Sequence, residues 1–128
     1  MRVLLDTHVF LWWNEDSPEL SKKAIRILAD PANILILSVA SAWEIAIKAQ
    51  SGKLRLPEDA AKYVRTRAAH YGMEILPIQL AHALALASLP LLHRDPFDRI
   101  LIAQSQEERL PLLTSDPAIR SYPIDTIW

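Results

Sequence analysis

Five acids are the residues best placed to do chemistry in this chain. Asp6 directly follows the apolar run Val3-Leu4-Leu5, and Asp116 follows Leu112-Leu113-Thr114-Ser115. Glu44 lies in Val39-Ala40-Ser41-Ala42-Trp43-Glu44-Ile45-Ala46-Ile47, which is apolar around nearly the whole helix and so marks a buried one. Asp95 and Asp98 sit in His93-Arg94-Asp95-Pro96-Phe97-Asp98-Arg99, where the last long helix begins. If several of these carboxylates converge, they repel and raise one another's pKa unless a cation sits among them. Oxygen ligands of this kind, without thiolates or a helical His pair, suit Mg²⁺ or Mn²⁺ and not zinc. Such ions acidify a bound water, align it for in-line attack on phosphorus and neutralise the departing oxygen. That chemistry is phosphodiester hydrolysis.

Each acid also has a structural role open to it. Asp6 can cap a helix starting at Thr7, and Asp116 before Pro117 has the pattern of an N-cap followed by proline at the first helical position. Asp95-Pro96-Phe97-Asp98 reads as N-cap, proline and an acid favourable to the helix dipole, so capping alone accounts for Asp95. Asp98 is followed by Ile100-Leu101-Ile102-Ala103 and can point inward. Glu44 can pair with Lys48 at i,i+4, worth about 0.2–0.5 kcal/mol. An unpaired buried carboxylate costs far more than that pair returns.

The elements that must position these acids alternate along the chain. Strands are expected at Val3–Leu5, Ile34–Leu37, Glu74–Leu76, Leu112–Thr114 and Ile124–Thr126, and the first two are unbroken apolar runs of the kind covered on both faces. Helices are expected at about Thr7–Trp13, Pro18–Ala29, Val39–Ser51, Pro57–Tyr71, Gln79–Leu86 and Pro96–Glu108, with Pro18, Pro57, Pro96 and Pro117 marking starts. This order points to an α/β domain with a mainly parallel sheet, whose ligands gather beyond the carboxyl ends of the strands.

Composition narrows the chemistry further. At 128 residues, 51% hydrophobic and 23% charged, the chain reads as a single globular domain over residues 1–128. It has no cysteine, which excludes disulfides, thiolate metal sites and cysteine nucleophiles, and makes a reducing cytoplasm the expected compartment. Its two glycines, Gly52 and Gly72, cannot build a glycine-rich phosphate loop. The N-terminus reaches Asp6 after three apolar residues and reads as no signal peptide, and no apolar run approaches the ~18 residues of a membrane span. A formal net charge of -1 gives no overall field for polyanions, so any such binding must use a local patch.

Four segments in order carry a family resemblance: Leu4-Leu5-Asp6-Thr7-His8; Ser41-Ala42-Trp43-Glu44-Ile45-Ala46-Ile47-Lys48; Asp95-Pro96-Phe97-Asp98-Arg99 with Ile102-Ala103-Gln104; and Leu113-Thr114-Ser115-Asp116. Together they resemble a PIN domain, and most of all the VapC-like ribonuclease toxins of bacterial toxin–antitoxin pairs. The resemblance implies a three-layer α/β/α sandwich and a Mg²⁺- or Mn²⁺-dependent endoribonuclease. It implies Asp6, Glu44, Asp98 and Asp116 as metal-binding catalytic acids, with Asp95 and Thr114 as supporting candidates. It also implies a homodimer, an RNA substrate and a cognate antitoxin that fills a groove near the site.

Between Ile45 and His70 six bases stand against two acids, a local net of +4 that can contact RNA phosphates or simply form the solvated face of a helix. Trp12, Trp13 and Trp43 can stack bases, although core packing or a partner interface is the commoner use of such rings. His8 and His93 read as structural or polar-surface residues. Two rival readings are a catalytically silent PIN-like binding module and a receiver-like domain that accepts phosphate on an aspartate. The receiver mechanism wants a late strand-end lysine, and the last lysine here is Lys62.

Overall fold

The computed structural model describes residues 1–128. Five strands form one sheet: β1 (Arg2–Leu5), β2 (Ile34–Ser38), β3 (Glu74–Leu76), β4 (Leu112–Leu113) and β5 (Thr126–Ile127). Their order is β3-β2-β1-β4-β5 and every neighbouring pair is parallel, so the sheet is wholly and not just mainly parallel. Seven helices connect them: α1 (Thr7–Asn14), α2 (Lys22–Ala29), α3 (Val39–Gln50), α4 (Ala60–His70), α5 (Leu80–Ala85), α6 (Pro96–Glu108) and α7 (Pro117–Arg120).

Successive side chains of a strand point to opposite faces, and β1 therefore feeds two cores. Val3 and Leu5 pack with Phe10 of α1, Ile27 of α2 and Tyr63 of α4. Leu4, with Ile36 and Leu112, packs on Leu101 and Ile102 of α6. Helices thus cover both faces, giving the α/β/α sandwich. From β1 the chain runs outward to β2 and β3, then crosses back to set β4 on the other side of β1. The carboxyl ends of β1 and β4 form the topological switch point, where a parallel sheet opens a crevice.

Two of the four prolines expected to mark helix starts do not. The N-cap of α2 is Ser21, which accepts from Ala24 N at 3.0 Å, and that of α4 is Asp59, which accepts from Lys62 N at 3.0 Å. These capping oxygens set the starts, leaving Pro18 and Pro57 in the preceding loops. Pro96 and Pro117 do occupy first turns. The last strand is displaced from Ile124–Thr126 to Thr126–Ile127, because Leu112 N bonds Asp125 O and Thr114 N bonds Ile127 O.

Gln104 of α6, fully buried, ties three of these parts together. Its Oε1 accepts from Ser38 Oγ at 2.5 Å, and its Nε2 donates to Pro77 O at 3.3 Å. Ser38 in turn caps α3 by accepting from Ala40 N at 3.0 Å. Gln104→Ala removes both bonds and leaves a void, so urea unfolding should show a loss of about 2–4 kcal/mol with an unchanged m-value.

Candidate active site

Asp6 stands at the N-cap of α1, yet its side chain makes no cap bond. Its Oδ2 instead accepts from Thr114 Oγ1 at 2.7 Å, while Oδ1 is buried with no partner. Thr114, the first residue beyond β4 and fully buried, also accepts from Asp116 N at 3.1 Å. One hydroxyl therefore joins the ends of β1 and β4 and fixes both acids that follow them.

Glu44 is 2% exposed and meets both of the roles open to it. Oε2 receives Lys48 Nζ at 2.5 Å, but the pair is set into the protein and Oε1 has no partner. Nearby, Thr7 Oγ1 donates to Ser41 Oγ at 2.9 Å and locks α1 against α3.

The third group comes from the start of α6 and its approach. Asp95 is a cap, its Oδ1 accepting from Phe97 N at 2.9 Å and Asp98 N at 3.4 Å. Asp116 divides its oxygens: Oδ1 caps α7 by accepting from Ala118 N at 2.8 Å, and Oδ2 lies 3.5 Å from His93 Nε2. That same nitrogen lies 2.8 Å from Asp98 Oδ2, without hydrogen-bond alignment. One ligand atom each from His93, Asp98 and Asp116 fall within 4.8 Å of one another, close enough to share one cation. His93 is thus part of the site and not a bystander on the surface, correcting the reading of its type alone. Its signal in the sequence was its place, two residues ahead of the cap of the helix that carries Asp98.

Electrostatics binds these groups into one unit. Burial, and then Asp6, Asp95 and Glu44, push the Asp98 carboxyl up to about 7, with His93 opposing. Burial also raises Asp6, with the Thr114 hydrogen bond opposing and Glu44 and Asp116 adding to the rise. Asp6 thus feels Glu44 and Asp116, and Asp98 feels Asp6, Asp95 and Glu44; Asp6 and Glu44 each keep a buried, unpartnered oxygen. A hard divalent cation fits this donor set: oxygens in excess, one imidazole and two buried carboxylate oxygens without partners.

Beside Glu44 runs a cleft of about 350 Å³ whose lining includes Thr7, His8, Trp12, Lys48 and Lys53. Trp12 and Trp13 pack against the core, with Trp12 against the ring of Trp128. Trp43 does not; it is 52% exposed, with its ring edge-on to Phe97 at 4.9 Å, next to Asp98. The basic segment is divided. Lys48 pairs with Glu44, and Lys62 and Arg67 pair with Glu58, leaving Lys53, Arg55 and Arg65 without an ion-pair partner.

Residues 3–124 match the PIN domain family. This chain belongs to that family. Over an alignment of 132 positions it is 32% identical to Ribonuclease VapC22 of Mycobacterium tuberculosis, covering 98% of each protein. It is 42% identical over 69 residues to Ribonuclease VapC16 of the same organism, covering 51% of this chain and 49% of that protein. Among solved structures it superposes on VapBC2 from Rickettsia felis, bound to a DNA fragment from its promoter, with TM-score 0.74 at 15% identity, covering 99% and 98% of the two chains. FitAcB from Neisseria gonorrhoeae gives TM-score 0.65 at 16% identity, covering 100% and 97%. These superpositions show the PIN fold, which displaces the receiver-like alternative.

The raised Asp98 carboxyl makes metal-free stability depend on pH. In the fold Asp98 holds its proton up to about 7, whereas its ordinary value is 3.8, so between these values the native state binds the extra proton. Stability therefore falls as pH rises across that interval. The metal-free melting temperature should drop between pH 5 and pH 8, and Asp98→Asn should flatten that slope and raise melting at pH 8 by roughly 4 °C or more. Calorimetric melts in chelator check both; an equally steep slope in the variant would contradict the assignment.

Proposed function

We propose that this PIN domain is a Mg²⁺- or Mn²⁺-dependent endoribonuclease that acts as the toxin of a toxin–antitoxin pair. The observation that carries this reading is the set of buried acids at the switch point, two of which keep an oxygen with no partner. A buried carboxylate oxygen is costly to leave unpaired, and a bound cation would satisfy both of these. The ribonuclease names of its relatives and the toxin–antitoxin complexes among its structural neighbours supply the class of reaction and of partner.

Asp6, Asp98, Glu44 and Asp116, with His93, are the residues that would hold the metal. Bound there, a divalent ion lowers the pKa of a water and neutralises charge on the phosphate oxygens. Thr114 holds Asp6 in one orientation through Oδ2 and leaves Oδ1 without a partner. Lys48 pairs with one oxygen of Glu44 and leaves the other available. Lys53 and His8, on the cleft wall, can contact the RNA backbone, and exposed Trp43 presents a ring on which a base can stack.

No helix of the structure is long and apolar enough to cross a membrane, and an RNA-directed toxin works in the cytoplasm. Exposed Leu80, Leu84, Leu91 and Leu92 offer apolar surface that a partner chain could cover. This supports both a homodimer and an antitoxin that covers part of the chain.

Expression in a bacterial host should arrest growth and produce discrete cuts in RNA. Asp6→Asn and Asp98→Asn should each abolish the arrest and reduce cleavage of purified RNA by more than the ~10–100-fold typical of losing an outer partner of a metal site. Full Mg²⁺-dependent cleavage by either variant would remove the ligand assignment. Mn²⁺ binding by the wild-type protein without any cleavage would replace the nuclease with the silent, binding-only reading.

A further inference from the structure

Residues 89–95 carry His93 to the site without helix or strand of their own. What shapes them is a second polar node, built on Tyr122 and Arg99. Tyr122, 3% exposed and just beyond α7, donates its hydroxyl to Pro90 O at 2.7 Å. The Tyr122 hydroxyl oxygen in turn accepts from His93 N at 2.9 Å and Leu92 N at 3.1 Å. Arg99 closes the node, its Nη1 lying 2.8 Å from Pro90 O and 3.1 Å from the Tyr122 hydroxyl, and its Nη2 3.3 Å from Leu86 O.

Arg99 is the unexpected member. It is 9% exposed, directly follows Asp98, and lies in a molecule with acids to spare, yet forms no ion pair with any of them. Its planar fork is used on carbonyl oxygens of the loop and on Tyr122. The arrangement is a closed frame. Arg99 is adjacent in sequence to Asp98, Tyr122 is joined to Asp116 through the short α7, and both grip the backbone at His93 or just before it. The three groups that can share a cation are thus each fastened to one node.

We propose that Tyr122 and Arg99 are positioning residues that set the His93 imidazole against Asp98 and Asp116, and through it tune the metal affinity of the site. This rests on the metal-dependent reading above. Neither residue is among the groups that would hold the metal; each acts through the loop backbone. Removing the Tyr122 hydroxyl leaves the Leu92 and His93 N–H groups without their acceptor and frees the loop while the ring still fills its place in the core.

The test compares Tyr122→Phe, His93→Ala, their double variant and Asp98→Asn, each titrated with Mn²⁺ by calorimetry and monitored by pulsed EPR for nitrogen coupling to the ion. Tyr122→Phe should melt cooperatively, bind Mn²⁺ roughly 10-fold more weakly, and lose most of the nitrogen coupling seen in the wild type. The double variant should bind no more weakly than His93→Ala alone, because the hydroxyl acts only through that imidazole. If Tyr122→Phe does not fold, Arg99→Gln replaces it, with the same non-additivity expected. A variant that merely melts lower while keeping wild-type Mn²⁺ affinity and nitrogen coupling, or losses that multiply in the double variant, would overturn the positioning role. Wild-type Mn²⁺ binding by Asp98→Asn would instead bring down the metal reading itself and this inference with it.

Discussion

The constraint on which this structure turns is the mutual repulsion of carboxylates held out of water. Asp6 and Glu44 are almost fully buried, each with one oxygen lacking any partner, and Asp98 is driven up to about 7 by burial and by its acidic neighbours. In the interior an uncompensated carboxylate is worth several kcal/mol against the fold. The rest of the molecule can be read as what holds these groups together despite that cost: a wholly parallel sheet with two cores and helices clamped on both faces.

The holding is done with a small set of polar contacts, and each is specific about which oxygen it uses. Thr114 takes one oxygen of Asp6 and orients the backbone of Asp116. The cap of α7 takes one oxygen of Asp116, and Lys48 takes one of Glu44. The second oxygen of Asp6 and of Glu44 is left without a partner, and that of Asp116 lies near His93. Capping and chemistry are therefore not competing explanations for these acids, since a carboxylate has enough lone pairs to serve a backbone N–H and a ligand at once.

This division explains what could be read from the sequence. Acids immediately after parallel strands are legible because parallel strands bring all their carboxyl ends to one edge, and Asp6 and Asp116 lie there. Glu44 is legible because its helix is apolar on almost every side. The bounds of α2 and α4 were harder, as Ser21 and Asp59 outcompeted nearby prolines as start signals. His93 and its frame were not legible: the Tyr122 hydroxyl reaches the loop across about 30 residues of sequence, with no periodicity to announce it. Contacts made by one side chain with distant backbone leave no pattern in composition or spacing.

The near-neutral net charge also takes on meaning only in the folded structure. The basic stretch from Ile45 to His70 is no free field for RNA, because Lys48 is committed to Glu44 and Glu58 receives both Lys62 and Arg67. A pocket of four acids repels phosphate, and the unpaired bases around it are too few to reverse that sign. On the proposed reading, the positive charge that admits an RNA backbone must come from the ions the acids hold. Metal and RNA binding are then linked, each strengthening the other by the same factor. The repulsion that strains the metal-free protein is also what makes its affinity for polyanions conditional on being loaded.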